Sequence, residues 1–97
     1  MNLHTESQRG HTAKQLLEND IYKETFTLLR ESIIQKWRDC PIRDKDGQHE
    51  LKLMDKILSD IERHIKQVAE TGKLADIQLE QEAKVEKIKA TKTKPWG

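Results

Sequence analysis

Residues 51–68 read LKLMDKILSDIERHIKQV. Within them Leu51, Met54, Leu58, Ile61, Ile65 and Val68 step by 3, 4, 3, 4 and 3, the a/d spacing that lines apolar side chains along one seam of an α-helix. Leu53 and Ile57 flank that seam. A helix with one apolar stripe is stable only when another element covers the stripe, so the partner has to be found elsewhere in the chain.

Working back toward the N-terminus, Tyr22, Phe26, Leu29, Ile33, Trp37 and Cys40 advance by 4, 3, 4, 4 and 3, a second helical face widened by Ile21, Leu28 and Ile34. Pro41 ends this helix, because its ring disfavours helical geometry in the residue before it and it has no N–H to donate. Asp44 or Asp46 then caps the next helix. The turn CPIRDKDG between two facing stripes predicts an all-α fold, an antiparallel helical hairpin over about 20–40 and 46–71.

Outside the hairpin the pattern weakens. Residues 1–11 are polar and aperiodic and read as a flexible arm. Thr12 and Gln15 fit a capping box that opens a short N-terminal helix over 12–18, broken at Asn19-Asp20. Thr71-Gly72 reads as a left-handed C-cap, which closes a hairpin domain of residues 12–72. A third, C-terminal helix over 73–90 follows, with the thin seam Leu74, Gln78, Gln81, Val85 and Ile88 and an i,i+4 pair between Glu80 and Lys84. Residues 91–97 read as a flexible tail.

The chain has 97 residues, of which 34% are hydrophobic and 36% charged. Ordinary domains carry about 45–50% apolar residues, so the core is narrow and a large enzyme is excluded by size. A lone hairpin leaves its outer surface partly apolar, which predicts self-association or docking on a larger protein. Tyr22, Ile34, Trp37 and Ile57 are the expected contacts of that second interface. The net charge of +1 fits neither an acidic mimic of nucleic acid nor a basic packaging protein. No apolar run is long enough to span a bilayer, the N-terminus lacks the apolar stretch of a signal peptide, and Cys40 has no partner for an internal disulfide. A soluble protein made in the cytoplasm is expected.

Chemistry finds little footing. His4, His11, His49 and His64 include no i,i+4 pair and there is no second cysteine, so neither a metal site nor a cofactor site is assigned. Cys40 has only His49 nearby as a base and reads as a thiol packed at a helix end. The carboxylates alternate with lysines, and no glycine-rich phosphate loop exists. No catalytic residue is assigned and no small-molecule substrate is expected. Arg43 and Asp44 crowd the hairpin tip as a polar docking site. Lys84, Lys87, Lys89, Lys92 and Lys94 form a dilute basic strip able to grip phosphates, and Trp96 on the tail is an anchor for a neighbouring pocket.

With these residues in view, the segment from 20 to 82 resembles small helical proteins encoded among the head and packaging genes of tailed bacteriophages. There a Trp-x-x-x-Pro-x-Arg-Asp turn precedes a leucine-rich helix ending in Thr-Gly-Lys; here those positions are Trp37, Pro41, Arg43, Asp44 and Thr71, Gly72, Lys73. The resemblance implies a non-enzymatic structural or assembly protein of a phage particle, found in the host cytoplasm during assembly or in the virion, whose partner is itself or a larger phage structural protein. It assigns no catalytic residue. Two rival expectations stand beside it: a small nucleic-acid-binding packaging or regulatory factor using the C-terminal lysines, and a phage inhibitor of a host protein.

Overall fold

Two asparagines and one aspartate set where the helices begin. Asn2 Oδ1 accepts a hydrogen bond from Thr5 N at 2.8 Å, Asn19 Oδ1 from Tyr22 N at 2.9 Å, and Asp44 Oδ1 from Gly47 N at 2.9 Å. Each satisfies an N–H that a helix start leaves without an internal acceptor. The helices so opened are α1 (Leu3–Glu18), α2 (Asp20–Asp39) and α3 (Lys45–Lys92). This computed structural model describes the backbone of residues 2–92 and the side chains of residues 2–88; all regular structure among the described residues is helical.

The hairpin turn falls where Pro41 predicts it, with α2 ending at Asp39 and the chain re-entering helix at Lys45. Of the two candidate caps it is Asp44 that serves. The break at Asn19 is also present, as an extended residue with φ −68° and ψ 127° that closes α1 and opens α2. α1 and α2 together form one broken arm that runs antiparallel to the single 48-residue α3. Ser7 meets Asp76, Gly10 meets Gly72, Tyr22 lies by Glu62 and Lys66, and Trp37 lies by Gln48 and Leu51.

Three expectations are corrected. Residues 3–11 are helical, part of α1 rather than an arm, and Thr12 is no cap; its hydroxyl donates to the Gln8 carbonyl one turn back at 3.2 Å. The inward face of α1 is Leu3, Ser7, Gly10, Ala13 and Leu17, mostly small side chains that a hydropathy pattern does not register. Gly72 does not end a helix. It keeps helical geometry inside α3 and is buried, so residues 45–71 and 73–90 are one element.

The reason is the crossing of α1 and α3. A Cβ added at Gly10 would fall on the Gly72 backbone, and one added at Gly72 would fall on Gly10 and stand 2.9 Å from the Glu6 carbonyl oxygen. Only two glycines permit this approach. Their helix-propensity cost, about 1 kcal/mol each, is offset by close backbone packing continued by Ala13 and Ala75, which are 8% and 2% exposed.

α2 stands further from α3 than α1 does, because Tyr22, Phe26 and Ile33 fill the gap with larger side chains. The Tyr22 and Phe26 rings stack at 4.5 Å with a 40° tilt. Leu51 and Leu58 are buried opposite them, whereas Met54 and Ile61, expected in the same seam, remain 47% and 46% exposed. The buried and half-buried residues along α3 from Leu51 onward are 51, 58, 62, 65, 68, 69, 72, 75, 76 and 79, and Met54 and Ile61 fall on the flank of that line.

The result is a ribbon of 86 × 25 × 16 Å with a radius of gyration of 22.7 Å, against roughly 13 Å for a compact chain of this length. No helix among the described residues is long and apolar enough to cross a membrane.

Candidate protein-interaction site

A two-helix ribbon has two broad sides, and here they differ in chemistry. In an antiparallel pair, positions with the same offset from the contact line fall on the same side. Leu29 stands three residues after inward Phe26, as Ile61 stands three after inward Leu58, so both lie on one side with Met54 and Ile57. Leu28 borders Leu29, and farther along Leu16 of α1 joins His64, Ile65 and Val68 in the α1–α3 groove. Leu16, Leu28, Leu29, Met54, Ile57 and Ile61 are between 42% and 59% exposed. Between Glu50 and His64 the flank of α3 carries Met54, Ile57 and Ile61, with Leu53 and Asp60 at its outer edge, and the matching flank of α2 offers Thr25, Leu29, Ser32 and Lys36 with Leu28 at its edge. In a chain that is 36% charged, the exposed cluster of Leu28, Leu29, Met54, Ile57 and Ile61 is a distinct surface.

The opposite side is polar over most of its length. Its grooves are lined by Lys23, Arg30, Glu31, Glu62 and Lys66 beside α2, and by His11, Lys14, Glu70, Lys73 and Asp76 beside α1. Arg30 Nη2 lies 2.6 Å from Glu62 Oε1, an ion pair across the hairpin in which the Glu62 side chain is 16% exposed. Tyr22 Oη is buried in the same neighbourhood. Burial is the main cause that pushes its pKa up, the Glu62 carboxylate adds to the rise, and Arg30 opposes it. Beside α1, Asp76 accepts from the Ser7 hydroxyl and its Oδ2 lies 3.1 Å from His11 Nε2. The serine is bonded to the carboxylate and not to the imidazole, so the trio is a clasp between α1 and α3, not an activated nucleophile.

The expected contact residues are thus divided. Ile34 and Trp37, 49% and 60% exposed, line one cleft of about 430 Å³ near the tip with Ile33, Gln48, Leu51, Lys52 and Asp55. Ile57, 59% exposed, lies on the other broad side and does not join them. Tyr22 is half-buried against α3; its ring packs on Phe26 within the hairpin rather than on the outer surface. Arg43 is exposed at the tip, while Asp44 is engaged in capping α3. Lys84 pairs with Glu80 at 3.6 Å, the predicted i,i+4 contact, which weakens its claim as a phosphate ligand. Lys87 is exposed in α3. Trp96 and Lys94, and the side chains of Lys89 and Lys92, lie outside the described residues.

Cys40 is half-buried at the tip, with Sγ 3.7 Å from the Asp44 carbonyl oxygen and 3.9 Å from its Oδ2. Burial, the Asp44 charge and the hydrogen bond to Asp44 all push the thiol pKa up, which keeps it protonated and weakly nucleophilic near neutrality. Among the described residues no three His, Cys, Asp or Glu side chains converge on one point.

The sequence reading missed the small-residue crossing and the Ser7–Asp76–His11 clasp. One signal was present: Gly10 and Ala13 in α1, and Ala69, Gly72 and Ala75 in α3, recur every third residue, as close helix packing requires. Comparison with family models, curated proteins and solved structures gives no match to this chain.

Proposed function

We propose that the chain is a non-enzymatic helix–helix interaction module, a structural or assembly protein that acts by laying one broad side of its ribbon on a protein partner. The observation that carries this reading is the exposed apolar cluster built by Leu28, Leu29, Met54, Ile57 and Ile61. Solvent-exposed helix flanks are ordinarily charged, and apolar ones of this extent mark association surfaces. The buried interior points the same way. Among the described residues its buried apolar side chains are Ala13, Leu51, Leu58 and Ala75, a slender core for so long a molecule.

A phage particle is the setting we propose, on the resemblance carried by Trp37, Pro41, Arg43 and Asp44. The Thr71-Gly72-Lys73 part of that pattern has a packing explanation of its own, so the turn alone supports the setting. The interaction reading is tested by placing a photo-cross-linking residue at position 57, and in a control at position 66 on the charged side, in cells that make the protein. A discrete protein adduct from position 57, absent from position 66, is the expected result. No adduct at position 57 overturns the module.

A further inference from the structure

The cleft near the hairpin tip and the tail beyond residue 92 have complementary chemistry. The cleft, about 430 Å³ in volume, has a floor at Leu51, walls of Ile34 and Trp37, and one carboxylate at its rim, Asp55. Leu51 is buried, whereas Ile34 and Trp37 stay 49% and 60% exposed, so apolar surface is left for a further side chain. The Gln48 amide donates to the Pro41 and Ile42 carbonyls at 3.3 and 3.2 Å, which ties the cleft to the turn and forms it before anything binds. Asp55 makes no hydrogen bond or ion pair among the described residues. The tail reads Lys92-Thr93-Lys94-Pro95-Trp96, an aromatic with a cation two residues before it. We infer that Trp96 of one copy of the chain inserts into the tip cleft of another, with Lys94 seated on that copy's Asp55.

Size, charge and reach select this occupant. An indole buries about 150–250 Å² and packs favourably on another aromatic face, which Trp37 supplies. Bound as a chain extended around Pro95, Lys94 and Trp96 lie about 7 Å apart on one side, so one covers the rim while the other enters. Lys52, the other charged residue of the cleft, stands about one helical turn nearer the tip than Asp55. It repels Lys94 from that end and sets the direction, Lys94 over Asp55 and Trp96 toward Trp37. The tail cannot fill the cleft of its own chain. Along the unbroken α3, residue 92 lies about 60 Å from residue 52, and the four residues from Lys92 to Trp96 reach at most about 14 Å. The contact is therefore made between copies, and because each copy offers one cleft and one tail it repeats as an open line. It uses neither Met54 nor Ile57 and goes beyond the broad-side reading above.

The test uses the full chain, by sedimentation velocity with light scattering. A contact this small is transient, so the average mass should rise above the 11.4 kDa of the chain between about 10 μM and about 1 mM. Trp96→Ala keeps the cleft and loses the anchor, and Ile34→Lys keeps the tail and charges the cleft. Each alone should stay at 11.4 kDa with an unchanged helical circular-dichroism signal. Mixed in equal amounts, the two should form a dimer of about 23 kDa, twice the chain mass, that grows no further, because one intact cleft and one intact tail remain between them. Asp55→Lys should weaken association about two- to fivefold, and Lys94→Asp in the same chain should restore it. A wild-type mass of 11.4 kDa up to about 1 mM, association that survives Trp96→Ala, a variant mixture that stays monomeric, or a charge swap without rescue overturns the inference. The adduct from position 57 involves neither Trp96 nor Ile34, so the interaction module and this inference fail separately.

Discussion

At Cys40 the thiol donates toward the Asp44 carbonyl and carboxylate while the Asp44 side chain also caps α3. One residue thereby opens a helix and suppresses a nucleophile. Because burial, the neighbouring charge and the hydrogen bond all raise the thiol pKa, alkylation by iodoacetamide at pH 8 should run slower than that of an unhindered cysteine. Its pH–rate midpoint should lie above the ordinary cysteine value of about 8.5. Asp44→Ala removes two of the three causes and should move the midpoint down toward that value, which stopped-flow or mass-spectrometric alkylation reads directly. At this scale the sequence was informative about local partners, since Asp44 and Gly47 sit three residues apart and a cap is a short-range event. It said nothing of Arg30 and Glu62, which meet only because the hairpin folds them together.

Between elements, the decisive contact is the Gly10–Gly72 crossing. Replacing glycine by alanine inside an exposed helix normally stabilises by about 0.5–1 kcal/mol. At Gly72 the added methyl meets the backbone of α1, which has no rotamer with which to yield. Overpacking of that kind costs about 1–3 kcal/mol, so Gly72→Ala should lower stability by roughly 0.5–2 kcal/mol net, with the sign opposite to that of an ordinary Gly→Ala change in a helix. Thermal or urea unfolding decides it; an unchanged or raised midpoint would sink the crossing. The helix boundaries near Pro41 and Asn19 were legible because proline and an Asx cap act on their own neighbours. α1 and the continuity of α3 were not, since a glycine after threonine near the end of an apolar seam has the local signature of a cap. Whether it caps or packs depends on a second glycine 62 positions away.

For the molecule as a whole, length and thinness govern stability. The register that sets Ser7 on Asp76 and Gly10 on Gly72 brings residue 3 opposite about residue 80, so the last turns of α3 run past the end of α1 without a helix beside them. Helices of that length are marginal in water without packing. Native-state hydrogen exchange should therefore find the slowest amides of α3 between about residues 58 and 75 and the fastest beyond about residue 82, a gradient within one unbroken helix. Uniform protection along α3 would mean that another surface covers its end. An elongated shape was implicit in two long periodic segments joined by one tight turn, but its degree was not, because it depends on Gly72 carrying the helix onward.

The antiparallel arrangement also has a mechanical consequence. Residues 2 and 92 emerge toward the same end of the ribbon, with the Pro41 turn at the far end. A pull applied between those two residues loads the helix pair as a zipper rather than in shear, parting one set of facing turns at a time. The tug reaches the Ser7–Asp76 clasp and the glycine crossing first, and then a natural halting point at Asn19, where α1 has come free and α2 is still seated. Such a ribbon should part in two strokes when tugged at its ends, yet resist sliding along its length, which single-molecule pulling on residues 2 and 92 reads as two separate rips.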